Sequence, residues 1–194
     1  MATVRSLCVY CGASDRVDAA YRQAAVDLGT RLAEDGIELV YGGGRIGLMG
    51  RLADAARLGG GRVIGIIPAH LHDREIGHHG ISELIVVGSM HERKQLMFER
   101  ADAFAVLPGG LGTIEETFEI ITWKQLRLHD KPIVIIDVAG YWRRLQALID
   151  HVVDEGFASR QAYSLFHVAD TVDALFGVLA ASPEPTLEPE AKLI

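Results

Sequence analysis

The chain is short of aromatic residues, cysteine and positive charge, and it has no long apolar run. Phe, Trp and Tyr make up 7% of its 194 residues, against 21 glycines. That balance suits a close-packed α/β sheet with tight turns better than a β-sandwich. No stretch of about 20 apolar residues occurs, so no membrane span is expected. Met1 to Arg5 run straight into an apolar segment and lack the charged, apolar and small-residue order of a secretion signal. A cytoplasmic protein is expected. The 19 Lys and Arg against 26 Asp and Glu leave a net charge of -7. An acidic surface argues against nucleic acid or an anionic membrane as the main partner. It leaves room for one small anion, which needs only a local basic site.

Two familiar phosphate signatures are also missing. No G-x-x-x-x-G-K-[ST] loop is present, and the first apolar segment is followed by Gly12-Ala13-Ser14 rather than by G-x-G-x-x-G. The two cysteines, Cys8 and Cys11, stand as C-x-x-C, which reads either as a redox pair or as two small residues of a first strand. A redox pair needs a helix N-terminus to lower a thiol pKa. Val9 and Tyr10 between them read as strand, which sends the two side chains to opposite faces. Two cysteines alone do not complete a structural zinc site.

Strand-like and helix-like patterns alternate along the chain. Strands are expected at 6–11, 37–41, 62–67, 84–87, 103–107, 133–137 and 165–168. Helices are expected at 19–35, 48–58, 90–101, 113–128, 141–153 and 171–180, with 69–80 loop-like and holding at most one short turn. Strands apolar on both faces between helices imply a mostly parallel sheet covered on both sides. The expected fold is a single-domain, Rossmann-like, doubly wound α/β sheet over residues 1–181, with 182–194 as a flexible, proline-containing tail. In such a fold ligands sit outside the carboxyl ends of the strands.

Three glycine-containing turns fall on that edge: Gly12-Ala13-Ser14, Gly42 to Gly47, and Gly109-Gly110-Leu111-Gly112-Thr113. Glycine lets backbone N–H groups approach an oxyanion, and a helix start adds unpaired N–H groups and partial positive charge. Tight βα turns use glycine for structural reasons as well. Ser89-Met90-His91-Glu92 reads as a capping box, which puts Arg93 and Lys94 in the first two turns of a helix. Cations there oppose the helix dipole. They suit a bound anion, or else a solvated face with Arg93 paired to a carboxylate.

Thr113-Ile114-Glu115-Glu116 also reads as a capping box, with Thr113 as N-cap. Glu116 is then either a cap or, beside a phosphate-holding loop, a chemical group. Glu119 and Thr122 follow at helical spacing. The segment Ala69–His79 is rich in His and acids, but without metal-ligand spacing it reads as a solvated loop, and no metal is expected. Lys124 and Lys131 lack any accompanying motif for Schiff-base chemistry.

Met90-His91-Glu92-Arg93-Lys94 followed by Pro108-Gly109-Gly110-Leu111-Gly112-Thr113-Ile114-Glu115-Glu116 resembles the paired motif of the Lonely Guy (LOG) family, P-G-G-x-G-T-x-x-E preceded by Arg-Lys. The likeness runs from the Cys-Gly-Ala-Ser turn to the last helix. It implies a cytokinin riboside 5′-monophosphate phosphoribohydrolase, which cleaves the N-glycosidic bond of an N6-modified AMP to free base and ribose 5-phosphate. Many family members carry an older lysine decarboxylase label, although nothing in this sequence supports pyridoxal phosphate chemistry. The resemblance implies Arg93 and Glu116 as catalytic. It implies Glu75, Lys94, Gly110, Leu111, Gly112, Thr113, Ile114, Glu115 and Thr122 as substrate-binding, with no cofactor and a homodimer. Met97, Phe98, Trp123 and His91 are candidates for contacts to the base. The rival readings are a non-catalytic nucleotide carrier on the same fold and a pyridoxal phosphate decarboxylase.

Overall fold

The computed structural model describes residues 4–75 and 77–187, with the side chains of residues 73–75 outside that description. Seven strands are present among these residues: β1 (Ser6–Tyr10), β2 (Glu38–Tyr41), β3 (Val63–Pro68), β4 (Glu83–Val87), β5 (Ala103–Val106), β6 (Ile133–Ile136) and β7 (His167–Ala169). They form one sheet in the order β4-β3-β2-β1-β5-β6-β7, with every neighbouring pair parallel. β1, β3, β5 and β6 are buried along their whole length, as strands covered on both faces must be.

The helices are α1 (Ala19–Glu34), α2 (Gly47–Leu58), α3 (Ala69–Glu75), α4 (Met90–Glu99), α5 (Leu111–Gln125), α6 (Arg143–Asp154) and α7 (Val172–Ala181). α1, α2 and α7 share one core with Leu7, Val9, Leu39 and Tyr41 from the sheet. α4, α5 and α6 share the other with Cys8, Tyr10, Ile64, Phe104 and Ile135. Cys8 and Cys11 fall in different cores, and both are free thiols. This is the expected separation to opposite faces, and burial pushes both thiols up.

Strand order reverses between β1 and β5. The turns after β1, β2 and β5 therefore lie on three adjacent strands, with the reversal among them, where a doubly wound sheet opens a crevice. Gly12 ties them together. Its N–H donates to the Pro108 carbonyl at 3.1 Å, and its own carbonyl accepts from Leu48 N–H at 3.0 Å. No helix among the described residues is long and apolar enough to cross a membrane.

The structure departs from the sequence expectations at three places. Residues 69–75 form a short helix rather than loop; seven residues give too few internal hydrogen bonds to show as a periodic pattern. The last strand is His167–Ala169, later than expected, because Arg160–Ser164 form a 3₁₀ turn that delays its start. The long helix starts at Leu111, with Gly110 as N-cap, so Thr113 is inside it and is not its cap. A glycine cap costs a helix little, so the T-x-x-E pattern did not fix the start. The described part of the tail is tied down: the backbone N–H groups of Thr186 and Leu187 both donate to Asp130 Oδ2.

Candidate active site

Helix α4 carries two cations in its early turns. Its start is finished by its own side chains: Ser89 Oγ accepts the Glu92 N–H at 3.1 Å, and Glu92 Oε2 accepts the Gly88 N–H at 2.7 Å. This fixes the helix so that Arg93 points toward the sheet edge. Arg93 Nε donates to the Ile66 carbonyl at 3.1 Å, and Nη1 lies 3.3 Å from Glu116 Oε1. The guanidinium passes where a side chain on residue 42 would stand; a Cβ there would collide with Arg93 Nη2. Gly42 thus serves a close approach at the end of β2.

Helix α5 starts without a side-chain cap. The Ile114 N–H bonds to the Gly110 carbonyl at 3.0 Å, which makes Leu111, Gly112 and Thr113 the first three helical residues. Their N–H groups have no acceptor within the helix and sit at the positive end of its dipole. Gly109 presses against the Thr113 side chain so closely that a Cβ at 109 would overlap it. The loop is thereby held flat against the helix.

Between these two helix starts lies a cavity of about 320 Å³. That is within the range of small-molecule sites. Gly12, Gly42, Arg93, Gly110, Thr113 and Glu116 supply its polar and backbone walls, and Met49, Leu71, Met90 and Met97 its apolar side. A second cavity of about 490 Å³, mostly apolar and including Tyr21, Leu48 and Tyr141, lies across the Gly12–Gly110 wall. A larger open groove between α1 and α7 is lined by Asp27, Glu34, Asp170, Asp173 and Arg31, whose guanidinium is paired with Asp35 and Asp173.

Glu116 is 7% exposed. Burial pushes its carboxyl up from an ordinary 4.5 to about 7, against the opposing pull of Arg93. Glu115 adds to the rise, Lys94 opposes it, and Glu119 adds again. A carboxyl that titrates near neutrality at the wall of a cavity, beside an open helix end, is equipped for proton transfer and for stabilising a nearby cation.

The structure brings together Arg93, Glu116, Gly110, Gly112 and Thr113 around this cavity. It places others elsewhere. Lys94 is buried behind the cavity, with Nζ 2.6 Å from Glu115 Oε1 and 2.8 Å from Glu119 Oε1. Leu111 is 86% exposed, Thr122 is exposed lower on α5, and Ile114 packs against the core. Glu75 ends α3, and its side chain is outside the described residues. Of the four candidates for base contact, Met97 lines the cavity, Phe98 and Trp123 are core, and His91 is exposed.

Met49, Leu71 and Met90 line the cavity without having drawn notice in the sequence. Met90, Arg93 and Met97 follow helical spacing, the one signal that marks them as a shared face. Among the described residues no group of three or more His, Cys, Asp or Glu is placed to hold a metal.

A Rossmann-like parallel sheet with an open helix N-terminus over a buried carboxylate–guanidinium pair defines a nucleotide-site protein. Residues 49–179 match the family model described as "Possible lysine decarboxylase". The chain is 48% identical over 171 residues to the probable cytokinin riboside 5′-monophosphate phosphoribohydrolase LOGL5 of Oryza sativa subsp. japonica, covering 88% of this chain and 70% of that one. It is 47% identical over 171 residues to the cytokinin riboside 5′-monophosphate phosphoribohydrolase LOG3 of Arabidopsis thaliana, covering 88% and 80%. The chain belongs to the LOG family.

The fold is shared with the molybdenum cofactor carrier protein of Chlamydomonas reinhardtii at TM-score 0.69, with 21% identity over 90% of this chain and 95% of that one. It is likewise shared with the molybdenum cofactor binding protein of Rippkaea orientalis, at TM-score 0.69 and 18% identity over 91% and 95%. Identities this low speak for the fold alone. The decarboxylase label finds no support in the site. Among the described residues no lysine lines the cavity, and Lys124 and Lys131 are hydrogen-bonded to the carbonyls of Lys131 and Phe98, at 2.9 Å and 2.8 Å.

Proposed function

We propose that this chain is an N-glycosidase that hydrolyses N6-modified adenosine 5′-monophosphates to the free base and ribose 5-phosphate. The observation that carries the reading is Glu116: a buried carboxyl titrating near 7, 3.3 Å from Arg93, at the wall of the cavity onto which α5 opens. The named relatives, 47–48% identical over most of the chain, support hydrolysis over carriage.

In this reading the phosphate sits on the N–H groups of Leu111, Gly112 and Thr113, where the helix dipole favours an anion. The purine lies toward Met49, Met90 and Met97. The ribose then faces Glu116. Cleavage of an N-glycoside passes through an oxocarbenium-like state. The ionised Glu116 stabilises that cation and takes the proton of the attacking water, while the bond electrons leave with the purine, which gains a proton as it becomes free base. Arg93, anchored on the Ile66 carbonyl, holds the carboxylate in place and favours its ionised form.

The test is turnover of AMP and of an N6-prenylated AMP, followed as free base and ribose 5-phosphate. Glu116→Gln is expected to lower kcat by about a thousandfold or more while nucleotide binding changes little. Normal turnover by that variant would remove Glu116 from the chemistry.

A further inference from the structure

The turn between β5 and α5 holds two adjacent glycines, and three separate parts of the chain fix its carbonyls. The Pro108 carbonyl accepts from the Gly12 N–H at 3.1 Å, and the Gly110 carbonyl accepts from the Ile114 N–H at 3.0 Å. The Gly109 carbonyl between them accepts from a side chain, the Tyr141 hydroxyl, at 2.6 Å.

Tyr141 acts from outside the cavity that holds Glu116. It lines the second, mostly apolar cavity, whereas Gly110 borders both. Its ring stands edge-on to Tyr21 of α1, with centroids 5.4 Å apart, and to the buried Trp142, at 4.8 Å. Its backbone leaves the 3₁₀ turn Val138–Gly140, where Ala139 and Gly140 have φ of 53 and 73. The Tyr141 N–H donates to the Val138 carbonyl at 3.1 Å, and the next N–H, of Trp142, donates to Asp137 Oδ1 at 2.6 Å. A ring held on two sides and a backbone held at two successive N–H groups aim the hydroxyl at one acceptor.

That hydrogen bond controls a peptide plane. The Gly109–Gly110 peptide is trans, so its C=O and N–H point in opposite directions. With the carbonyl turned toward Tyr141, the Gly110 N–H is turned away from it. Neither residue has a Cβ to resist rotation of the plane. A half-turn would exchange its two ends and present a carbonyl oxygen where a donor now points, an arrangement hostile to an anion. We propose that Tyr141 is a positioning residue for phosphate recognition: its hydroxyl locks this plane so that the Gly110 N–H joins those of Leu111, Gly112 and Thr113 in facing the phosphate.

The inference rests on the phosphate sitting at the α5 start, and the experiment tells the two apart. Binding of ribose 5-phosphate, which carries the phosphate, and of N6-prenyladenine, which lacks it, is measured by calorimetry for wild type, Tyr141→Phe and Gly110→Asp. These measurements need no turnover. KM and kcat for N6-prenylated AMP are measured alongside, and the Gly110 amide resonance is followed during titration with ribose 5-phosphate. Tyr141→Phe keeps the ring and its packing and removes only the donor. Gly110→Asp puts a carboxylate at the helix start itself, where a Cβ has open space.

In Tyr141→Phe the Kd of ribose 5-phosphate and the KM of the nucleotide are expected to rise together, by about fivefold, as for one lost hydrogen bond. The kcat and the Kd of N6-prenyladenine stay within about twofold of wild type. The Gly110 amide proton moves downfield on binding in wild type and less so in Tyr141→Phe. Equal losses for ribose 5-phosphate and for the base overturn the proposal and leave Tyr141 a packing role alone. So does an unchanged ribose 5-phosphate affinity in Tyr141→Phe, and if Gly110→Asp still abolishes that binding, the phosphate seat stands. Ribose 5-phosphate binding that Gly110→Asp leaves untouched overturns both.

Discussion

At the start of α4, Ser89 Oγ and the Glu92 carboxylate take up backbone N–H groups within the same short segment. At the start of α5, Gly110 offers no side chain at all. The two helices begin at the same edge of one sheet, and in α4 the charges run opposite to habit, with cations near its positive end. The dipole penalty for each is a few tenths of a kcal/mol, and the carboxylates Glu115, Glu116 and Glu119 of α5 answer it across the helix contact. The α4 start is closed by its own residues, and the α5 start, the proposed phosphate seat, carries no side-chain cap.

Closing α5 in the manner of α4 should break the difference most strongly. The Gly110 backbone is extended, at φ -91 and ψ -157, and nothing lies within 4 Å of a Cβ built there. Gly110→Asp therefore fits, caps the helix and puts a carboxylate where the phosphate belongs. KM is expected to rise about a hundredfold, while the melting temperature holds or rises slightly, the cap contributing about a few tenths of a kcal/mol over glycine. Unchanged KM in a correctly folded Gly110→Asp would move the phosphate away from this helix end.

A second effect concerns what the open site does to stability. Glu116 titrates near 7 in the fold against an ordinary 4.5, so between those values the folded state binds the extra proton. Stability from this group is thus present at low pH and lost as pH rises from 4.5 to 7. Glu116→Gln escapes that loss. Relative to wild type it should gain on the order of 2 kcal/mol at pH 8 compared with pH 4.5. Urea unfolding at the two pH values reads this directly. A wild-type-to-variant difference that is the same at both would refute the raised carboxyl.

The smallest effect is on the closed side. Ser89→Ala removes the α4 cap and should cost about 1 kcal/mol in urea unfolding, with kcat/KM reduced only through loosening of Arg93. A loss of activity as large as that of Gly110→Asp would mean that the two helix starts are not specialised in different ways.

The fold was legible because its strands are mostly apolar runs of three to six residues bounded by glycine and helix-capping signals, and such signals are local. The loop at Pro108–Thr113 and the Arg93–Glu116 pair were legible as a pattern for the same reason. What escaped was decided by contacts between distant segments. Lys94 stands beside Arg93 in sequence and looks equivalent to it, yet its partners lie 21 and 25 residues away, and only the packing of α5 on α4 assigns it to them. Gly42 read as a turn glycine; that it makes space for the Arg93 guanidinium is a fact of tertiary approach. Leu71 entered the cavity wall from a helix too short to leave a periodic trace.

The Gly12 carbonyl has a consequence for which end of a ligand goes where. It accepts from the Leu48 and Met49 N–H groups, at 3.0 Å and 3.4 Å, and so occupies the start of α2. Ser89 occupies the start of α4. Among the described residues, α5 begins at the cavity with no side-chain cap, leaving the Leu111, Gly112 and Thr113 N–H groups without an acceptor in the helix. In the proposed reaction a nucleotide would accordingly enter in one sense, anionic head against α5 and uncharged ring toward the methionines. On cleavage of its glycosidic bond the halves would part company unequally: the sugar phosphate would keep its anchor, and the base would be the fragment set loose.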